Sequence, residues 1–116
     1  MIRLLIVAVI ASASSLASAE QKLAGQKLIS FLVGKTFEYK RRGTWREIRF
    51  IDSERLEIRY FSTFRPQKWY VKGDQMCMRA RTSARDYCRT LKVIDGKRII
   101  AFVPNDPSDR ITMTRK

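Results

Sequence analysis

The chain has 116 residues, with 24 Lys and Arg against 11 Asp and Glu and a formal net charge of +13 at pH 7. A chain of this length provides one small hydrophobic core and leaves no room for a second domain. The large positive charge favours association with polyanions such as lipid phosphates, acidic polysaccharide or nucleic acid, and it disfavours cationic partners.

Residues 1–19 have the pattern of a cleaved export signal. Arg3 provides a positive start, residues 4–10 are apolar, and Ala17-Ser18-Ala19 forms a small-x-small cleavage site. The apolar run is far shorter than the roughly 20 residues that span a bilayer, and no cysteine follows the small residues as in a lipoprotein. We therefore expect a periplasmic or secreted protein whose mature part, residues 20–116, is one domain with a net charge of +12.

Residues 21–33 predict a short helix. Its apolar side chains are spaced close to one helical face, and Gly34 follows as a C-cap. These apolar positions are Leu23, Leu28, Ile29, Phe31, Leu32 and Val33. We expect the helix to cap the body of the domain.

From Thr36 onward, apolar residues recur at every second position and turn residues follow at short intervals, which is typical of an antiparallel β-meander. The apolar positions of the successive strands are Phe37 and Tyr39; Ile48 and Phe50; Leu56, Ile58 and Tyr60; Trp69 and Val71; Met76 and Met78; Tyr87, Leu91 and Val93; Ile100 and Phe102; and Ile111 and Met113. Turns are predicted at 42–43, 52–53, 65–66, 73–74 and 95–96, and a loop over 104–109.

About eight short strands in residues 36–116 favour an all-β fold with one short N-terminal helix, namely a small antiparallel up-and-down barrel. Closure removes exposed sheet edges. The alternative is a strongly bent open meander with the helix on its concave face. A barrel of eight strands is just filled by side chains or holds one small ligand, and we expect large inward side chains to fill most of this one.

Cys77 and Cys88 are the two cysteines of the chain. An even number of cysteines in an exported protein predicts a disulfide. The alternation of apolar side chains along the two strands also favours a disulfide, because it places both cysteines on the outward face of neighbouring strands. The same alternation points Arg89 inward, and the sequence offers no reason for it.

The run Trp-Tyr-Val-Lys-Gly-Asp-Gln-Met-Cys over 69–77, followed by Cys88, resembles a W-x-V-x-G-D-x-x-C…C signature of small, uncharacterised secreted bacterial β-barrel proteins. Residues 32–37 are similar to the N-terminal part of those proteins. The resemblance implies the fold and brings no activity with it. A more distant similarity is to lipocalin-like barrels, in which a helix leads into a Gly-x-aromatic start of the first strand, here Gly34, Lys35 and Phe37 with one extra residue.

Basic residues are concentrated in alternate connections of the meander. In an up-and-down sheet the first, third, fifth and seventh connections share one end, and the helix lies at the other end. We predict an anion-binding rim at the first of these ends, composed of Lys40, Arg41, Arg42, Arg65, Arg79, Arg81 and Arg85. Arginine suits phosphate and carboxylate because its guanidinium offers a bidentate fork of donors. The alternative is a solvated face with local ion pairs.

These features predict a non-enzymatic envelope protein that binds an anionic glycolipid or acidic polysaccharide. The chain contains no histidine, and paired cysteines would leave no nucleophile–base pair and no zinc site, so we expect no metal and no cofactor. Asp52 and Glu54 lie at a turn and are expected to be solvated. The alternatives are a lipocalin-like carrier of a small apolar ligand and a secreted inhibitor or interaction protein. Nucleic acid is disfavoured because Tyr60, Trp69 and Tyr87 have the inward, apolar parity.

Overall fold

The structure is a computed structural model that describes residues 23–80 and 85–116, with the side chain of Pro107 left out. Within these residues the chain forms one helix and eight strands: α1 (Gly25–Leu32), β1 (Thr36–Arg41), β2 (Thr44–Phe50), β3 (Arg55–Tyr60), β4 (Thr63–Lys72), β5 (Gln75–Met78), β6 (Tyr87–Val93), β7 (Arg98–Val103) and β8 (Asp106–Arg115). The strands form a closed antiparallel barrel in chain order, and β1 pairs with β8 through Phe37↔Arg115 and Glu38↔Thr114. The predicted barrel is confirmed, and the open bent sheet is not formed.

The third connection lies earlier in the chain than the sequence predicts. The turn is at 61–62, and β4 continues through Arg65 and Pro66, where we expected the turn. Pro66 lies opposite Glu57 of β3, whereas β5 pairs with β4 from Trp69 onward. A proline is tolerated in this part of β4 because it needs to satisfy only one neighbouring strand.

The last hairpin also departs from the prediction. The chain turns at 104–105 and β8 begins at Asp106, so most of the expected 104–109 loop belongs to a strand. An irregularity in the β7–β8 register lies between Phe102 and Val103. On β7, Ile99 and Ala101 are buried, whereas the sequence pattern predicts Ile100 and Phe102. A shift of one residue exchanges the two faces of a strand, and a run of apolar residues such as 99–103 does not fix that choice.

Helix α1 closes one end of the barrel, which we call the helix end. Its buried Leu28 and Leu32 belong to the main core, and the backbone N–H of Gly25 donates to the carbonyl of Gly73 in the β4–β5 turn at 2.9 Å. Gly34 has a φ of +84°, a left-handed conformation that glycine adopts without strain, and it turns the chain from the helix into β1. The described helix ends at Leu32, one residue before the end of the predicted range.

An aromatic cluster fills the barrel beneath the helix. The ring of Phe50 makes edge-to-face contacts with Phe37 at 6.1 Å and with Trp69 at 4.9 Å between centroids. All three side chains are at most 1% exposed. The indole N–H of Trp69 donates to the carbonyl of Asp52 at 2.8 Å, so its polar atom is satisfied as a buried tryptophan requires.

Two turns at the helix end share one construction. In each, an aspartate (Asp52 or Asp95) accepts the backbone N–H groups two and three residues later, and its second oxygen accepts the guanidinium of Arg55 or Arg98. These hydrogen bonds, from Arg55 first for Asp52 and from the Lys97 backbone first for Asp95, lower the pKa of both carboxyl groups. The carboxylates of Asp52 and Asp95 thus stabilise the turns in which they lie.

A disulfide joins β5 to β6. Cys77 and Cys88 are directly opposite each other in the strand register, with Cα atoms 4.0 Å apart. The predicted bridge is confirmed. It ties together the two strands that flank the 79–86 connection.

Candidate functional site

The barrel interior is open at the end away from the helix, which we call the open end. A cavity of about 280 Å³ lies there. Its walls are formed by Tyr39, Arg41, Arg46, Ile48, Ile58, Tyr60, Met76, Met78, Tyr87, Arg89, Ala101, Ile111 and Met113. The expectation that side chains fill most of the interior is therefore wrong for this half of the barrel. Aromatic rings fill the helix end, whereas long polar side chains surround a space at the open end.

Among the described residues, three arginines line the cavity: Arg41 of β1, Arg46 of β2 and Arg89 of β6. Each lies an even number of residues from a buried neighbour on its own strand (Tyr39, Ile48 and Leu91), so strand alternation turns it inward. No Asp or Glu is among the wall residues. The cavity therefore concentrates positive charge in a partly enclosed space, where interactions with an anion are screened less than at an exposed surface.

Arg89 is held rigidly by the barrel. Its side chain is 3% exposed and forms an ion pair with Asp109 at 3.1 Å. Its remaining donors reach the hydroxyl of Tyr87 at 2.6 Å and the carbonyls of Ala101 and Asp109 at 3.2 and 3.0 Å. The inward direction predicted for Arg89 is confirmed, and these four acceptors explain how a buried guanidinium is tolerated.

The hydroxyl of Tyr87 connects two of the arginines. It accepts hydrogen bonds from Arg89 at 2.6 Å and from Arg41 at 3.2 Å. Arg41 on β1 and Arg89 on β6 are thereby linked through one phenol oxygen. The arrangement fixes the guanidinium of Arg41 beside the cavity.

Arg46 is the least satisfied of the three arginines. Its guanidinium lies against the ring of Tyr60, 4.7 Å from the centroid. Its Nε is buried and has no hydrogen-bond partner among the residues that the structure describes. A buried donor without an acceptor costs about 1–3 kcal/mol, so Arg46 is a position at which an incoming acceptor would be stabilised.

Tyr39 remains a neutral phenol in this charged environment. Burial, together with the neighbouring Tyr60, raises the pKa of Tyr39, while Arg46 and Arg41 act in the opposite direction. The net shift is upward, so the hydroxyl is a hydrogen-bonding group and does not provide a counter-charge for the arginines.

The part of the cavity wall between the arginines and the filled core is apolar. Ile48, Ile58, Met76, Ala101 and Met113 form it, and each is at most 5% exposed. The site thus combines an apolar floor with cationic and phenolic donors near its opening. Such a division matches a ligand with an apolar body and an anionic group.

The predicted rim residues that the structure describes differ in their surroundings. Among them Arg41 lines the cavity, whereas Lys40 and Arg42 are exposed in the β1–β2 hairpin and Arg65 is exposed on β4. Arg79 stacks on Tyr70, 4.6 Å from the ring centroid, and Arg85 is exposed. Arg81 lies outside the described residues. Anion binding by the exposed members stays a prediction.

Many basic side chains on the outside of the barrel have acidic partners. Arg49 pairs with Glu57 at 2.6 Å, while Glu47 accepts from both Arg59 at 2.5 Å and Lys116 at 3.0 Å. The hydrogen bond from Lys116, followed by that from Arg59, lowers the pKa of Glu47 despite the opposing effect of burial. The outer charges here form local pairs, whereas of the three cavity arginines it is Arg89 that has an acidic partner, Asp109.

The sequence contained a signal for the residues that the rim prediction missed. Side chains alternate between the two faces of a strand, so Arg46 lies on the same face as the buried Ile48 two residues later. By the same rule Arg41 lies on the same face as Tyr39. Tyr60 and Tyr87 lie on the same face of their strands as the apolar residues, and this position predicts that they belong to the core. The alternation of residues along a strand specifies which face of the sheet a side chain occupies. It does not specify how far along the barrel axis the interior is filled by side chains.

No protein-family model, curated protein or solved structure matches this chain. Among residues 23–80 and 85–116, no helix has the length and hydropathy needed to cross a membrane. The site's own chemistry must therefore carry the argument for function.

Proposed function

We propose that this protein is an exported, non-enzymatic binding protein that takes an amphipathic anion into the open end of its barrel. The observation that carries the proposal is the inward Arg46 at the wall of a cavity with an apolar floor, since its buried Nε has no acceptor within residues 23–80 and 85–116. A carboxylate, phosphate or sulfate group would accept hydrogen bonds from Arg46 and Arg41, and the apolar part would contact Ile48 and Met113.

The volume limits how much of a ligand can enter. At about 30 Å³ for each water-sized group, a cavity of about 280 Å³ accommodates about nine such groups. A short acyl chain with its head group, or the end of a longer lipid, has this size. An anionic glycolipid of the cell envelope fits the proposal, whereas acidic polysaccharide would engage exposed arginines and leave the apolar floor unused.

The second candidate is a carrier of a small uncharged apolar ligand. The apolar floor favours it, but Arg41 and Arg46 would then face the ligand without a counter-ion among the described residues. The two candidates differ in whether the ligand must be charged. Export is supported by the signal-like residues 1–19 and by the disulfide, which fits an oxidising compartment.

Binding of octanoate, measured by isothermal titration calorimetry or by NMR shifts, tests the proposal. Octanol carries the same chain without the charge, and acetate carries the charge without the chain. We expect octanoate to bind more tightly than either by about tenfold or more, since a hydrogen bond to a charged group contributes about 1.5–3 kcal/mol. Equal binding of octanol would support the apolar carrier.

Arg46→Met is the decisive variant and Arg49→Met its matched control. Both positions are on β2, but Arg49 faces outward and pairs with Glu57. We expect Arg46→Met to weaken octanoate binding about tenfold or more, and Arg49→Met to change it by less than about twofold. Equal losses in the two variants would mean that net charge alone attracts the anion, and a salt series would then abolish binding in parallel.

A further inference from the structure

The two most exposed aromatic side chains of the described residues lie at the open end. Phe61 in the β3–β4 turn is 85% exposed, and Trp45 near the start of β2 is 63% exposed. Phe61 also has a φ of +60°, the left-handed region in which glycine and asparagine are favoured and a bulky side chain is strained. Neither packing nor backbone geometry accounts for a phenylalanine at the tip of this turn.

Trp45 and Phe61 each follow a paired residue toward the open end. Arg46 is paired with Tyr60 in the β2–β3 register, and the next residues in that direction are Trp45 on β2 and Phe61 in the β3–β4 turn. Both are outside the barrel wall, next to the opening of the cavity. We call these two side chains the aromatic tip. An exposed apolar cluster of this kind at one end of a small protein marks a surface for contact with another apolar phase.

The segments that carry the aromatic tip are strongly basic. Residues 40–46 contain the exposed Lys40 and Arg42 and no acidic residue, their other two basic residues being the cavity arginines, and residues 58–65 contain Arg59 and Arg65 and no acidic residue. The ammonium of Lys40 is 5.9 Å from the centroid of the Trp45 ring. Aromatic side chains next to Lys and Arg are typical of the membrane–water interface, where rings sit at the level of the head groups and basic residues contact anionic lipid.

We propose that the open end of the barrel docks on an anionic phospholipid surface through Trp45 and Phe61, with Lys40 and Arg42 contacting lipid phosphates. The partner fits by charge as well as by polarity, because the two turns offer cations around an apolar centre. A nucleic acid is a poorer fit because the aromatic tip projects from the end of the barrel, whereas single strands are bound along a groove with successive stacking platforms. Docking in this orientation would place the cavity opening against the membrane.

Intrinsic fluorescence reports this docking directly. The chain has two tryptophans, and Trp69 is 1% exposed in the core, so a change on adding vesicles would come from Trp45. We expect vesicles of phosphatidylglycerol and phosphatidylcholine to shift the emission to shorter wavelength, and lipids brominated in the acyl chain to quench it. Vesicles of phosphatidylcholine alone should give a much smaller change at the same salt concentration.

Variants at the two ends of the barrel distinguish binding through the aromatic tip from nonspecific adsorption of the protein to vesicles. Trp45→Ser and Phe61→Asn should each weaken vesicle binding in a sedimentation assay by about tenfold or more, and asparagine suits the backbone at 61. The matched control is Ile51→Ser, which removes an exposed apolar side chain (43% exposed) at the helix end and should change binding by less than about twofold. All variants carry the same N-terminus as the parent protein, verified by mass spectrometry, so any contribution of residues 1–19 cancels.

Three results would overturn the membrane proposal. They are equal binding of the parent and the aromatic-tip variants, equal binding to neutral and anionic vesicles, and a fluorescence shift that depends on protein concentration without vesicles, which would identify a second copy as the partner. Arg46→Met separates this proposal from cavity binding. It should keep vesicle binding within about threefold while losing octanoate, so either proposal can fail without the other.

Discussion

At the helix end of the barrel, Phe37, Phe50 and Trp69 fill the space between the strands, and α1 covers them. At the open end the same strands carry Tyr39, Arg46 and other long polar side chains around a cavity. The helix end thus contributes most to stability, while the open end retains buried groups that stability alone does not favour. A binding site in a small protein commonly has this character, since stabilising it further would remove its function.

The sharpest test of this comparison is removal of a large side chain at each end. Trp69→Ala should lower the free energy of unfolding by about 3–5 kcal/mol, because it leaves a cavity in the aromatic cluster and an unpaired carbonyl at Asp52. Tyr60→Ala, at the open end, should cost clearly less because that side chain already borders empty space. Urea denaturation measures both, and equal losses would mean that the two ends contribute equally to the core.

The disulfide provides the next largest effect. Changing Cys77 and Cys88 together to serine should lower the free energy of unfolding by about 2–3 kcal/mol, as expected for a bridge between residues 11 positions apart. Denaturation of the oxidised parent protein with and without a reductant gives an independent value. If the double variant is as stable as the oxidised protein, the barrel does not depend on this link between β5 and β6.

A smaller, pH-dependent effect is expected at Glu47 on the outside of the barrel. Because Lys116 and Arg59 lower its pKa in the folded state, ionised Glu47 stabilises the fold above its unfolded pKa, and this is lost as the pH falls through the folded pKa. Glu47→Gln should therefore cost about 1 kcal/mol at pH 7, with the difference shrinking once the pH falls below the ordinary Glu pKa of about 4.3 and vanishing below the lowered folded pKa.

Denaturation of both proteins across pH measures this difference. In a Lys116→Met background, the cost of Glu47→Gln should shrink, since the ammonium that contributes most to the shift is absent. A cost that is constant with pH would point to lost packing and would remove the ion pairs from the explanation.

The smallest expected change in the free energy of unfolding is that of Arg46→Met, and it is the one change expected to be stabilising. Arg46→Met should leave the free energy of unfolding unchanged or raise it by less than about 1 kcal/mol, because it removes a buried donor that has no acceptor among the described residues. The same variant is expected to lose octanoate binding. A large loss of stability would show that Arg46 serves the fold, and the contrast between the two ends of the barrel would then be weaker.

The predictability of the fold follows from how local its signals are. The strict alternation of 55–60, the glycines at 34 and 73 and the two Asp-x-x-Arg turns each act within a few residues, and the structure has strands or turns at these places. The prediction failed at Pro66 and at 99–103. A proline beside one neighbouring strand and a continuous apolar run both depend on which partner lies next to them.

The sequence by itself determined the class of fold, the disulfide pair and the inward direction of Arg89, because alternation and turn chemistry are short-range properties. It did not determine where the barrel is filled. That depends on how far α1 and the aromatic rings reach from one end, and only the tertiary structure brings Arg41, Arg46 and Arg89 from three strands around one space. The charge pattern of the chain indicated the exposed basic residues. The inward arginines could be recognised as one site only in the closed barrel, because closure brings residues from distant strands to the same interior.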